Sequence, residues 1–151
     1  MQRIRHAEPK DVDRLVELLA LLFAIEKDFA VDDEKQRRGL AMLLADDRGC
    51  IMVADENGTA VGMCSGQLTI STAEGGPALL IEDLVVAPEW RGHGLGRRLL
   101  DAVVGWGAAR GAHRQQLLAD RSNRAGLDFY ENVDFLPTQL VCLRRRSGGS
   151  R

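Results

Sequence analysis

The chain has 151 residues and a formal net charge of −2, with 45% hydrophobic and 28% charged residues. This length suits one domain with its own core, and the small net charge gives no general attraction to nucleic acid or an acidic membrane surface. No apolar run reaches the roughly 18 residues that a membrane span needs. Three scattered cysteines and three unclustered histidines predict reduced thiols in a cytoplasmic protein that binds no metal.

The amino-terminal half predicts a pair of helices and then a β-hairpin. Asp11 is a candidate cap for the first helix, Asp32 or Asp33 opens the second helix, and Asn57-Gly58 is typical of a tight hairpin turn. A mixed aromatic and acidic segment at 23–31 separates the two helices. The elements expected before the loop at 71–77 are a strand at 3–7, helices beginning near 12 and 33, and strands at 50–54 and 59–70.

A strand, a glycine-rich loop and a helix follow in the segment Leu79–Leu100. The strand is apolar except for Glu82 and Asp83, and Pro88 ends it because proline has no N–H for a sheet ladder. A glycine-rich turn at a helix N-terminus presents unpaired backbone N–H groups at the positive end of the helix dipole. We therefore expect a diphosphate site here, with acids on the adjoining strand; the alternative is a turn of purely structural use.

The glycine spacing argues against two common phosphate-binding motifs. Position 97 is arginine, where the dinucleotide fingerprint needs glycine or alanine, and the Gly-Lys-Ser/Thr of a Walker A loop is absent. The remaining elements expected after the helix are a strand at 115–119, a short helix at 125–131, a strand at 140–143 and a polar tail. This order predicts a mixed sheet with helices on both faces.

Two segments resemble the signatures of one family. The run LVVAPEWRGHGLGRRLL, with the glycines of its R-G-x-G-x-G core at 92, 94 and 96, resembles the acyl-CoA-binding signature of the GCN5-related N-acetyltransferases (GNAT). Asn123, Phe129 and Tyr130 resemble the second signature, usually N-x-x-A-x-x-F-Y-x-x-x-G-F, in which a glycine is usual where this chain has Asp134. The two acids before the loop also resemble the diamine and thialysine acetyltransferase branch. The resemblance covers nearly the whole chain.

The resemblance implies an α/β fold of the GNAT type. Its central sheet is mixed, mostly antiparallel and twisted, with helices on both faces. The strand at 78–86 is bulged beside the cofactor site and splays from the strand at 114–119. We expect a single acetyltransferase domain over 1–146, followed by a flexible tail at 147–151.

The implied co-substrate is acetyl-CoA. By resemblance the strand backbone contacts the pantetheine arm, and the loop amides hold the pyrophosphate. Asn123 contacts the arm or, equally, caps the short helix. The implied cofactor-binding residues are Leu84, Val85, Val86, Arg91, Gly92, His93, Gly94, Leu95, Gly96, Arg97, Asn123 and Tyr130.

The catalytic residues implied are Tyr130, Glu82 and Asp83. One acid takes a proton from the substrate ammonium, unless it serves only in an ion pair. Neighbours on a regular strand point to opposite faces, and Glu82 has the parity of Leu84, so it is preferred as the base with Asp83 second. A backbone N–H near Val85 stabilises the oxyanion. Tyr130 protonates the departing thiolate, unless it is only a core aromatic.

The predicted acceptor is a primary amine, and paired acids favour a small cationic one. By resemblance, Phe23, Glu26, Phe29 and Glu82 line its pocket; the alternative for the first three is packing of the helix pair. A non-catalytic acyl-CoA-binding or sensing module and a protein acetyltransferase acting on an N-terminus or lysine are the competing functions. We expect a homodimer without nucleic-acid or membrane partners.

Overall fold

The computed structural model describes residues 2–26, 28 and 30–148. Within these ranges it contains a five-stranded sheet and four α-helices. The strands are β1 (Arg3–His6), β2 (Gly49–Glu56), β3 (Thr59–Ser71), β4 (Gly76–Val86) and β5 (Gln115–Leu117). The helices are α1 (Val12–Ile25), α2 (Asp33–Ala45), α3 (Leu95–Ala108) and α4 (Arg124–Asn132).

The sheet is mixed and mostly antiparallel, as expected. Its strands lie in chain order, and β1 to β4 form successive antiparallel pairs whereas β5 pairs with β4 in parallel. The β2–β3 hairpin turns through Asn57 and Gly58, which have φ of 51° and 90°. Both residues are therefore left-handed, which is the backbone that an Asn-Gly hairpin turn requires.

Helices cover both faces of this sheet. Met63 and Val85 share one face of β3 and β4 and belong to the core beneath α1 and α2. On the other face α3 packs so closely that a Cβ at Gly66 would lie 2.6 Å from Val103 Cγ1. The core on the α1 side comprises Leu15, Val16, Leu18, Leu19, Leu22, Leu40, Ile51, Val53, Ala60, Met63, Val85 and Ala87.

One of the two acids predicted to open the second helix caps it, whereas the first helix lacks its predicted cap. Asp32 caps α2 by accepting a hydrogen bond from the Lys35 N–H at 3.2 Å. Asp11 precedes α1 but makes no capping bond to this helix. Its buried carboxylate instead accepts the Glu8 N–H at 2.8 Å and two bonds from Arg5, at 2.8 and 3.0 Å. The expected cap is therefore wrong, because a nearby arginine offers the carboxylate a charge-assisted, bidentate partner.

The predicted strand at 140–143 is also wrong. The structure describes these residues without strand pairing, and Leu140, Val141 and Leu143 are 78%, 73% and 90% exposed. A short apolar run is enough to predict a strand, but a strand forms only where a second strand offers hydrogen bonds. Two elements end at residues other than those expected. Helix α1 continues to Ile25, into the segment at 23–31 that was expected to be irregular, and β5 stops at Leu117.

The chain divides into two compact units, Met1–Leu117 and Leu118–Arg151. The first contains the sheet with α1, α2 and α3, and the second contains α4. No helix among the described residues is long and apolar enough to cross a membrane. The same residues contain no cluster of three or more histidine, cysteine or acidic side chains suited to a metal ion.

Candidate functional site

A β-bulge places both predicted acids opposite one serine. Ile81 pairs with Gly66 and Leu84 with Cys64, so that Glu82 and Asp83 together face Ser65. The bulge cancels the alternation on which the preference for Glu82 depended, because an extra residue interrupts the two-residue period. Glu82 is exposed, whereas Asp83 is partly buried. No sequence pattern predicted Ser65, since an isolated serine in an apolar strand carries no recognisable signal.

Asp83 is held by two contacts to Ser65. The Asp83 N–H donates to Ser65 Oγ at 3.2 Å, and the Ser65 hydroxyl donates to Asp83 Oδ2 at 3.2 Å. Burial raises the pKa of Asp83 to about 6, the negative charge of Glu82 adds to this rise, and the Ser65 hydrogen bond opposes it. A carboxylate with this pKa is ionised at neutral pH and accepts a proton more readily than an ordinary aspartate.

Beyond the bulge, one edge of β4 loses its neighbour. Among the described residues, β5 pairs with β4 only from Leu79 to Ile81. The Ala87 N–H donates to Val61 O at 2.9 Å, and the ladder alternation therefore directs the amide of Val85 to β3 and those of Leu84 and Val86 to the opposite edge. The expected splay thus exposes backbone groups at 84 and 86, on either side of Val85.

The glycine loop forms the uncapped start of α3. Gly94 is the N-cap residue with φ of 77°, and Gly92 has φ of 81°. A glycine cap has no side chain to satisfy the first N–H groups of the helix, in contrast to Asp32 at α2 and Asn123 at α4. Leu95 is buried and anchors the turn. The first amides of α3 are therefore available to an anion.

The charges around this turn are positive. α3 has no acid in its first turn, and Arg97 is exposed there. A cation at a helix N-terminus is unfavourable to the helix dipole, but it suits a bound anion. Arg91, also exposed, donates from Nε to Val86 O at 3.0 Å and so links the loop to the open edge of β4. His93 is exposed, with its ring 6.3 Å from that of Trp90.

In the second unit, Asn123 caps α4. Its side chain accepts a hydrogen bond from the Gly126 N–H at 3.1 Å. The family signature has alanine at position 126, and a Cβ there would lie 2.6 Å from the Asn123 Nδ2. The capping alternative for Asn123 is therefore observed, and Gly126 is a second departure from the signature that gives this cap room.

Tyr130 and Asp134 lie in the turn that ends α4. The N–H of Phe135 donates to Tyr130 O at 2.9 Å and that of Asp134 to Glu131 O at 3.1 Å. This is a Schellman motif, with Asp134 left-handed at φ of 71°. The rings of Tyr130 and Phe135 meet edge to face at 5.8 Å. Asp134 thus adopts the backbone for which the signature uses glycine, and the turn is retained.

The predicted acceptor residues lie at the end of α1 and just after it. Phe23 is partly buried against the core on the α1 side of the sheet. Ser65 is two residues from Met63 in β3, so that it and its partner Asp83 also lie on this face. Glu26 follows α1 and is partly buried. Phe29 lies outside the described residues.

Solved structures share this fold. The aminoglycoside N-acetyltransferase AAC(6')-Iy in complex with CoA matches 97% of this chain and 95% of its own, with a TM-score of 0.82 and 19% identity. At this identity the likeness concerns the fold alone. A mixed sheet that opens beside an uncapped, glycine-rich helix start places the chain in the acetyltransferase class of folds.

The sequence comparisons give the family. The Acetyltransferase (GNAT) family matches residues 13–135, and the chain belongs to this family. An uncharacterized N-acetyltransferase of Archaeoglobus fulgidus is 29% identical over 150 residues, covering 97% of both chains. An aminoglycoside N(6')-acetyltransferase type 1 of Stenotrophomonas maltophilia is 31% identical over 121 residues, covering 78% of this chain and 73% of its own. The chain is therefore an N-acetyltransferase with acetyl-CoA as co-substrate.

The observed site fits acetyl-CoA. The uncapped amides of α3 and the exposed Arg97 suit its pyrophosphate. The Leu84 backbone and the Val86 N–H, on the edge of β4 that β5 leaves open, suit the amide groups of an extended pantetheine arm. A Cβ at either left-handed glycine would strain this turn. These residues were predicted from the resemblance of the loop to the family signature.

Proposed function

We propose that the chain acetylates a primary amine of a small cationic molecule by direct attack in a ternary complex. The observation that carries this proposal is the pair of acids at the β4 bulge, one partly buried and one exposed, immediately before the open edge. The aminoglycoside acetyltransferase named above supports a small polyamine-like acceptor. The family match spans both compact units, which supports a single catalytic domain over 1–146.

Each acid has a distinct role in this proposal. Asp83, whose pKa is raised to about 6, accepts the proton of the substrate ammonium, directly or through water. Glu82, exposed beside it, attracts the cationic acceptor. Phe23 and Glu26 line the acceptor side, and the same role for Phe29 stays a prediction. We therefore prefer Asp83 to Glu82 as the base, because burial raises the pKa of Asp83 into a range that suits proton transfer at neutral pH.

The remaining groups act on the acyl transfer. Acetyl-CoA, when bound, supplies an activated thioester; the new C–N bond forms as the C–S bond breaks. The N–H of Val86 or Leu84 stabilises negative charge on the carbonyl oxygen. Tyr130 holds a proton near neutrality, since a phenol has an ordinary pKa near 10, and gives it to the departing thiolate. The pyrophosphate is held by the loop residues Arg91, Gly92, His93, Gly94, Gly96 and Arg97.

The test is the pH dependence of turnover with acetyl-CoA and a panel of aminoglycosides, diamines, lysine and peptides. We expect kcat/KM to fall below pH 6 as Asp83 becomes protonated. Asp83→Asn should abolish this acid limb and lower kcat by at least about 100-fold. Glu82→Gln, the matched control, should mainly raise KM for cationic amines. Tyr130→Phe should lower kcat and leave CoA binding intact.

Other outcomes identify the competing functions. Tight CoA binding without turnover on any amine would indicate a sensing module. Turnover only on peptide amines would indicate a protein acetyltransferase. An acid limb that persists in Asp83→Asn and disappears in Glu82→Gln would return the base role to Glu82.

We also propose a cytoplasmic homodimer. Leu140, Val141 and Leu143 form an exposed apolar stretch of the kind that a second copy covers in a symmetric interface. The cysteines at 50, 64 and 142 are free thiols, which supports a reducing compartment. Light scattering should give twice the chain mass, and Leu140→Lys with Leu143→Lys should halve it. A monomeric parent protein would overturn this proposal.

A further inference from the structure

Ser65 is a buried polar residue whose contacts go beyond sheet formation. Its side chain is fully buried at 0% exposure, and it stands in β3 opposite the two residues of the β4 bulge. A bulge leaves one backbone group of the longer strand without a ladder partner. The Ser65 hydroxyl supplies that partner, because its Oγ accepts the Asp83 N–H at 3.2 Å.

The same hydroxyl also orients the Asp83 side chain. A serine hydroxyl has a single proton to donate. With its oxygen occupied by the Asp83 N–H, the proton is directed to Asp83 Oδ2, which lies 3.2 Å away. One residue therefore fixes both the backbone and one carboxylate oxygen of Asp83, and Oδ1 is left out of this contact.

We propose that Ser65 is a positioning residue for catalysis, which holds Asp83 Oδ2 so that Oδ1 faces the substrate ammonium. The proposal rests on the proposed role of Asp83 as the base. Without the hydroxyl, the carboxylate would turn about its side-chain torsions, and the bulge amide would lack a partner.

The charged and titratable neighbours of Asp83 predict the direction of the effect. Glu82, on the same strand, raises the pKa of Asp83, and the Ser65 hydrogen bond lowers it. Cys64 on β3 is buried, and burial raises the pKa of its thiol so that it is neutral at the pH of the experiment. Ser65→Ala removes a bond to the charged form of Asp83, and its pKa should rise further.

The experiment follows the Asp83 carboxyl carbon by NMR titration and kcat/KM against pH in the same variants, with Asp83→Asn to assign the signal. In Ser65→Ala we expect the pKa of Asp83 to rise by roughly one unit, the effect of one hydrogen bond to a charged group. The acid limb of kcat/KM should move by the same amount, a loss of roughly five-fold at pH 6. Ser65→Thr, which keeps the hydroxyl, should restore both values.

Ser71→Ala is the matched control. Ser71 is a buried serine of the same strand whose Oγ accepts the Glu74 N–H at 3.1 Å, and its loss should move neither titration. Ser65→Cys, nearly equal in volume to serine and a weak donor, serves if the alanine variant does not fold. An unchanged carboxyl titration in Ser65→Ala or Ser65→Cys would overturn the proposal. If the carboxyl titration shifts but the acid limb of kcat/KM does not move, Ser65 does bind Asp83, and Asp83 is not the base.

Discussion

The close approach of α3 to the sheet depends on a glycine beside the bulge. Gly66 pairs with Ile81, directly before the two acids of β4. A Cβ at position 66 would lie 2.6 Å from Val103 Cγ1 and 3.0 Å from Leu79 Cδ1. Val103 is fully buried and β-branched, so its side chain has little rotamer freedom to move away. Gly66→Ala should therefore push α3 from the sheet.

The expected magnitude follows from two opposing effects. Overpacking a well-filled core costs about 1–3 kcal/mol. Replacing glycine also reduces the entropy of the unfolded chain, and this offsets about 0.4–1 kcal/mol of the overpacking cost. The net loss of stability is about 1–2 kcal/mol, which corresponds to a fall in Tm of roughly 3 to 6 °C for a chain of this size. Urea unfolding followed by the fluorescence of Trp106, which is buried in α3, measures this loss.

Two controls make the result specific. Gly39→Ala, in α2, meets no atom within 4 Å and should gain about 1 kcal/mol from helix propensity. Val103→Ala combined with Gly66→Ala should lose at least about 1 kcal/mol less than the sum of the single changes. A Gly66→Ala variant as stable as the parent protein would refute the steric conflict between position 66 and α3. Strictly additive losses would show that Val103 is not the residue in conflict.

Three further predictions concern the turn after α4, the buried ion pair and the cofactor loop. Asp134→Gly should stabilise the fold by about 0.5–1 kcal/mol, since glycine adopts φ of 71° without strain; an unchanged or lower urea midpoint would contradict this. Asp11→Asn should lower the free energy of unfolding by about 1–3 kcal/mol at pH 7, because it weakens the bidentate contact of Arg5, which keeps its Nε bond to Asp55 at 2.8 Å. Arg5 lowers the pKa of Asp11, so the stabilisation by this ion pair is fully present above the ordinary pKa of 3.8 and is lost as the pH falls below that value. A difference in unfolding free energy between the parent protein and Asp11→Asn that stays constant down to pH 2 would contradict this. Gly94→Ala should weaken CoA binding by about ten-fold or more in calorimetry, because alanine is strained at φ of 77°, and equal affinity would exclude a role for this backbone.

Local patterns in the sequence predicted features that depend on only a few neighbouring residues. The hairpin at Asn57 and Gly58, the Asp32 cap and the glycine loop before α3 all appear where they were expected. Each depends on backbone preferences or a side-chain bond within a few residues. The mostly antiparallel sheet and the splay followed from a family resemblance, because the two signatures carry information that single-residue preferences do not.

Features that depend on partners outside the local helix or strand were not predicted. The pairing of Asp11 with Arg5 and the unpaired segment at 140–143 both reflect which groups the fold brings together. The preference for Glu82 assumed a regular strand. The family resemblance implied a bulge in this strand, but only the register with β3 places it at Glu82 and Asp83.

The sequence by itself determined the cofactor loop, through the spacing of its glycines, and the fold class, through the order of its elements and the two family signatures. Only the tertiary structure decided how the two acids differ. Ser65, 18 residues before Asp83 in the chain, becomes its partner through strand pairing, and burial then separates Asp83 from the exposed Glu82. The protonation of a carboxylate depends on desolvation and nearby charge, which are properties of the folded environment and not of the residue type.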